Sequence, residues 1–115
     1  MNHQSLIRQA YAAFNVRDIP ALLAMLHPQV RWAKTQQGDY LTGPGAVVER
    51  WQALWQEIDV HDEPTAIREL TDGRLEVAVD QVKKDKQGNT ISEGPLTVTY
   101  AFRDGLIQQM DFEQP

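Results

Sequence analysis

The chain contains no cysteine. That absence removes disulfides, thiolate metal sites and cysteine nucleophiles together. No run approaches the ~20 apolar residues that a helix needs to cross a bilayer. The amino-terminal stretch MNHQSLIRQAY lacks the apolar stretch of a secretory leader, so a cytoplasmic location is expected. Basic charge is scarce: 11 Lys and Arg stand against 16 Asp and Glu, a formal net charge of −5. A phosphate backbone needs a basic surface, so nucleic acid is not an expected partner, and neither is a membrane. His3, His27 and His61 are far apart and have no metal-ligand spacing. Gly43-Pro44-Gly45 lacks the lysine and the serine or threonine of a phosphate loop. No serine stands in a nucleophile-elbow context. Neither a metal nor another cofactor is therefore expected.

What remains is ordinary globular material. At 115 residues, 42% apolar and 23% charged, the chain suits a single domain spanning 1–115. Such a chain buries roughly 65% of its extended surface, enough for one core. The first half has a helical period. Leu6, Ile7, Ala10, Tyr11 and Phe14 share one helix face. Asp18 suits the N-cap of a second helix, with Pro20 in its first turn and Leu22, Leu23 and Leu26 as its apolar stripe. His27-Pro28 ends that helix, because a residue before proline is pushed out of the α region. Val30 to Ala33 reads as a short strand, and Thr35 to Thr42 as a polar loop. A third helix enters at Gly43-Pro44-Gly45 and turns Val47, Trp51, Leu54 and Ile58 inward, with Val48 and Trp55 on its flank.

The second half changes to a period of two. Leu75, Val77, Val79 and Gln81 alternate with polar residues or alanine, as do Leu96, Val98, Tyr100 and Phe102. Asp72-Gly73, Gly88-Asn89 and Asp104-Gly105 punctuate these runs as tight turns. The spacing predicts four antiparallel strands at about 63–71, 74–86, 91–103 and 106–113. Helices followed by strands give an α+β fold in which three helices pack on a strongly curved antiparallel sheet.

Three stretches carry a resemblance: YAAFNVRDIPALLAMLHPQVRW from Tyr11 to Trp32, TGPGAVVERW from Thr42 to Trp51, and VTYAFRDGLIQQM from Val98 to Met110. In these and in its element order, the chain resembles the superfamily of nuclear transport factor 2, ketosteroid isomerase and SnoaL-like polyketide cyclases. The resemblance implies a cone-shaped α+β barrel with an apolar interior and a homodimer formed through the outer sheet face. It also allows the ketosteroid isomerase roles to be located. The base falls at or near Lys34, the second acid at Val98, and the tyrosine at Ala10 or Tyr11. At best one of the three roles is filled. A lysine is cationic unless burial strongly depresses its pKa, so ketosteroid isomerase chemistry does not carry over.

The residues themselves name other candidates. Tyr11 and Tyr100 fall on inner faces, and a buried hydroxyl must find a partner, either in the core or on a ligand. Asp80, Asp111 and Glu113 fall on the outer face in the strand register. A β-bulge would turn Asp80 or Asp111 inward as a general base. Asp39 and Tyr40 sit in the loop beside the expected mouth, where Tyr40 could act as a lid. Gln81 could supply an amide. Phe14, Trp32, Trp51, Trp55, Val98, Phe102, Met110 and Phe112 are the expected apolar wall, with Lys34 at its edge. His61-Asp62-Glu63 reads as a polar connector, and Lys83-Lys84-Asp85-Lys86 as a solvated hairpin tip.

Three functions follow. The first is a small apolar molecule bound in the cone, with or without cofactor-independent isomerase, cyclase or dehydratase chemistry. The second is a non-catalytic dimeric interaction module that uses the Thr97/Thr99 row beside Arg103. The third is an epoxide-hydrolase-like carboxylate–water hydrolase, which requires inward Asp and Arg residues such as Asp80.

Overall fold

A computed structural model describes residues 2–114. Helix α1 (His3–Asn15) starts where the Asn2 side chain accepts a hydrogen bond from the Ser5 backbone N–H at 2.7 Å. It buries Leu6, Ile7 and Tyr11 on one face. Asp18 caps α2 (Ile19–Met25) through the Ala21 N–H, as its sequence context predicts.

Strand β1 (Leu26–Ala33) begins at Leu26, four residues before the predicted Val30. His27 is already extended because Pro28 follows it, and Pro28 falls in a break of the strand register between Leu26 and Arg31, where a missing N–H breaks no ladder. The predicted loop hides a three-residue strand, β2 (Tyr40–Thr42), paired antiparallel with β1. It is too short to show a period. Gly43, at φ 86, then turns the chain into α3 (Pro44–Glu57).

The remaining strands are β3 (Asp59–Glu69), β4 (Leu75–Lys84), β5 (Thr90–Arg103) and β6 (Leu106–Glu113). β3 starts four residues earlier than predicted, taking in the segment read as a polar connector. Asp104 and Gly105 both have positive φ, which the two-residue hairpin between β5 and β6 requires.

The six strands form one sheet in the order β2-β1-β6-β5-β4-β3. Its pairs are antiparallel except β1 with β6, which is parallel. The predicted antiparallel meander is present as β3 to β6, and the parallel β1 makes the curved sheet a mixed one. β1 precedes α3 and reaches the free edge of β6 from the amino-terminal half, a long-range pairing with no local signal. Irregular registers also interrupt the β3/β4, β4/β5 and β5/β6 pairs, and such bulges bend strands. Helices α1 and α3 pack over the face that carries Val77, Val79, Val98 and Tyr100. Ile7, Val30, Val47, Val77 and Val79 are the most deeply buried side chains there.

Candidate ligand pocket

Between the helices and the curved sheet lies a cavity of about 310 Å³. Its walls follow from the two periods. Helical spacing brings in Ala10, Tyr11 and Phe14 from α1 and Trp51 and Leu54 from α3, while strand alternation brings in Leu96, Val98 and Tyr100 from β5. Aromatic rings interlock along one side. Trp32 meets Trp51 edge-on at 5.2 Å, and Phe14 meets Trp51 at 5.8 Å. The volume is at the small end of ligand pockets, suited to a molecule of one or two rings.

Two hydroxyls lie inside this apolar wall. The Tyr11 and Tyr100 oxygens are 2.7 Å apart, and their rings meet edge-on at 6.3 Å. Both side chains line the cavity and are about 95% buried. Burial is the largest cause raising both pKa values, with the Asp62 charge adding to each, so both hydroxyls stay protonated at neutral pH. Each hydroxyl has one proton, and the mutual bond uses one of the two. The other remains free to donate to a ligand oxygen.

Among the described residues, Asp62 is the one acidic residue lining the cavity. β3 carries it inward two residues after Val60. Asn15 fixes its backbone from α1: the Asn15 amide donates to the Asp62 carbonyl at 2.8 Å and accepts from the Asp62 N–H at 3.0 Å. Gln81 Nε2 donates to Asp62 Oδ1 at 3.0 Å. Oδ2 has no hydrogen-bond partner among the described residues. Burial raises the Asp62 pKa, opposed by the Gln81 bond and by the charges of His61, Lys83 and Arg17. A carboxyl whose pKa burial raises and that keeps a free oxygen can accept and return protons. Among the described residues, no three of His, Asp and Glu gather as metal ligands.

The profile of the SnoaL-like domain matches residues 7–110. The chain belongs to the SnoaL-like domain family. No curated protein matches it significantly. Solved structures share the fold at low identity. One is an NTF2-like protein of unknown function from Burkholderia pseudomallei, 21% identical, covering 100% of this chain and 92% of its own, with a TM-score of 0.86. A Mycobacterium tuberculosis protein in complex with estradiol-17beta-hemisuccinate is 16% identical over 97% of this chain and 92% of its own, with a TM-score of 0.83. A protein of ketosteroid isomerase-like fold from Catenulispora acidiphila, in complex with trimethylamine, is 15% identical over 99% of this chain and 87% of its own, with a TM-score of 0.82.

In this SnoaL-like chain, Tyr11, Phe14, Trp32, Lys34, Trp51, Gln81, Val98, Tyr100, Met110 and Phe112 all line the cavity. The remaining candidates lie elsewhere. Asp80 is exposed, because the β4/β5 register runs unbroken from Leu75 to Lys83 and no bulge turns it inward. The hydrolase reading thereby loses the inward Asp80 it needs. Asp111 keeps the outer register opposite Thr99, and its carboxylate accepts from the Tyr40 hydroxyl. Tyr40 is thus a strand residue of the outer face rather than a lid, with the Arg31 guanidinium 4.1 Å from its ring centre. Asp39 shapes the turn, its carbonyl accepting from the Lys34 N–H at 2.8 Å. Trp55 lies outside the wall, stacked on Trp51 at 6.2 Å with Arg17 over its ring at 4.8 Å. Phe102 follows the β5 bulge and stacks on His3 at 4.0 Å, away from the cavity.

Three charged lining residues are absent from the sequence candidates: Asp62, Arg50 and Lys83. Lys83 continues the inner register of Gln81, and Arg50 shares a helix face with Val47 and Leu54, so both had a signal in their spacing. Asp62 had none. Its strand opens as DVHDEP, where polar residues conceal the alternation.

Proposed function

We propose that the chain, acting as one domain over 1–115, binds a small, mainly apolar carbonyl compound in this cavity and moves a proton on it without a cofactor, as an isomerase or cyclase does. One observation carries the reading: the buried Tyr11–Tyr100 hydroxyl pair and the buried Asp62 line the same cavity. The ligand carbonyl oxygen accepts from the free proton of the tyrosine pair. Asp62 Oδ2 removes a proton from the carbon beside that carbonyl. The C–H electron pair moves onto the oxygen as an enolate, which the tyrosine pair stabilises. Asp62 then returns its proton to the same or another carbon. The estradiol-17beta-hemisuccinate complex of the Mycobacterium tuberculosis relative supports a fold of this kind holding a ring-based molecule.

Calorimetric titration with 2-tetralone and with tetralin, which has the same rings without the oxygen, tests the reading. The ketone is expected to bind about tenfold more tightly, the yield of one hydrogen bond of roughly 1.4 kcal/mol. Tyr11→Phe/Tyr100→Phe is expected to erase that difference. Equal binding of the two compounds, or binding of neither, contradicts it.

A second reading concerns assembly. The helices pack on one sheet face. The other carries Thr97, Thr99 and Ala101 beside Gln109 and Asp111, a row of short and polar side chains suited to a second sheet. A homodimer through this face is expected to scatter light at twice the chain mass and to dissociate on Thr99→Arg. A monomer at all concentrations contradicts it.

A further inference from the structure

The charged residues around the cavity reverse the balance of the chain. Acidic groups outnumber basic ones over the whole sequence, yet the charged side chains lining the cavity are Lys34, Arg50 and Lys83 against Asp62 alone. Lys34 and Arg50 are exposed and Lys83 is half-buried. A residue that both lines a cavity and meets solvent marks its opening, so these three form the rim.

The fold brings them together from three elements. β1 runs parallel to β6, and β6 and β4 both run antiparallel to β5, so β1, β4 and β6 all point the same way. Lys34, just past the end of β1, and Lys83, near the end of β4, therefore lie towards the same end of the sheet. Arg50 comes from the α3 face that carries Val47 and Leu54. Among the described residues, none of the three has an acidic partner within 4.0 Å, whereas Arg68, Arg74 and Lys86 are each paired with a carboxylate. Asp62, whose carboxyl feels the Lys83 charge, offsets them only in part. It is held to Gln81, about 7 Å further in along β4 than Lys83.

We infer that the ligand is an organic acid, with a mainly apolar ring body inside the cavity and a carboxylate held at the rim by Lys34, Arg50 and Lys83. This rests on the reading of the cavity as a ligand site and names the class of molecule it takes. The apolar wall supplies most of the binding. The rim cations select the charged end and draw it in against the repulsion of an acidic protein.

Titration with 6-hydroxy-2-naphthoate and with its methyl ester tests the inference. The acid is expected to bind about tenfold more tightly than the ester at low salt, and the preference is expected to shrink as salt screens the rim. In Lys34→Gln/Arg50→Gln/Lys83→Gln the acid is expected to fall to the affinity that the ester shows for the same variant. Arg50→Gln alone, at an exposed site that does not bear on folding, is expected to lose about a third to a half of the preference on a logarithmic scale. Equal binding of acid and ester to the unaltered protein, or a preference that survives both variants, overturns the inference and leaves the cavity reading standing. Binding of 2-tetralone but of neither naphthoate overturns it as well. Failure of all three compounds to bind overturns both.

Discussion

The hydroxyl of a tyrosine that is 5% exposed, as Tyr100 is, must satisfy its hydrogen-bonding capacity locally, and here its partner is another tyrosine. Tyr100→Phe leaves the Tyr11 hydroxyl without that partner at the cavity wall. Urea unfolding is expected to show a loss of about 1 kcal/mol for either single change to Phe. The double change is expected to cost less than the sum by about 1 kcal/mol, because the pair forms one bond. Additive effects would show that the two hydroxyls are not coupled. Asp62 behaves in the opposite sense. Its pKa is raised by burial, so its charged form opposes folding. That opposition is absent below the ordinary carboxylate pKa, grows as pH rises towards the raised one, and is constant above it. Asp62→Asn is therefore expected to stabilise the protein by about 1 kcal/mol at pH 7 and to have no effect near pH 3. A loss of stability at pH 7 would contradict this. The tyrosines were legible from helix and strand spacing. Asp62 was not, because a buried carboxylate between His61 and Glu63 has the local sequence of a solvated turn.

At the scale of elements, the pocket depends on how α1 meets β3. Asn15 makes two hydrogen bonds to the Asp62 backbone, one in each direction. Asn15→Ala is expected to cost about 2 kcal/mol in urea unfolding, roughly 1 kcal/mol for each bond. It is also expected to slow proton transfer on 2-tetralone by releasing Asp62 from its position. An unchanged unfolding midpoint would show that the helix holds β3 by apolar contact alone. The elements themselves were legible where a period had room to repeat, as in α1, α3 and the strands β4 to β6. Strand β2 has three residues and cannot show alternation. Strand β1 hides its first half behind a proline, and its parallel pairing with β6 joins segments about 80 residues apart, with no local trace.

Across the whole molecule, a net-negative SnoaL-like chain encloses an apolar cavity with a cationic rim, a tyrosine pair and one carboxylate. Aromatic rings make the wall; in the proposed reading Tyr11 and Tyr100 supply a donor and Asp62 a proton acceptor. These parts converge only because three helices and six strands close on each other, which is why no short motif in the sequence announces them. The account requires Asp62 and the tyrosines to act on one ligand. Exchange of the protons beside the carbonyl of 2-tetralone in deuterated buffer, followed by NMR, measures this directly. The protein is expected to accelerate exchange by about a hundredfold, the lower range of positioned general-base catalysis, with a rate that rises with pH as Asp62 loses its proton. Asp62→Asn is expected to abolish the acceleration. Exchange at the rate of buffer alone, or acceleration that survives Asp62→Asn, would contradict the account.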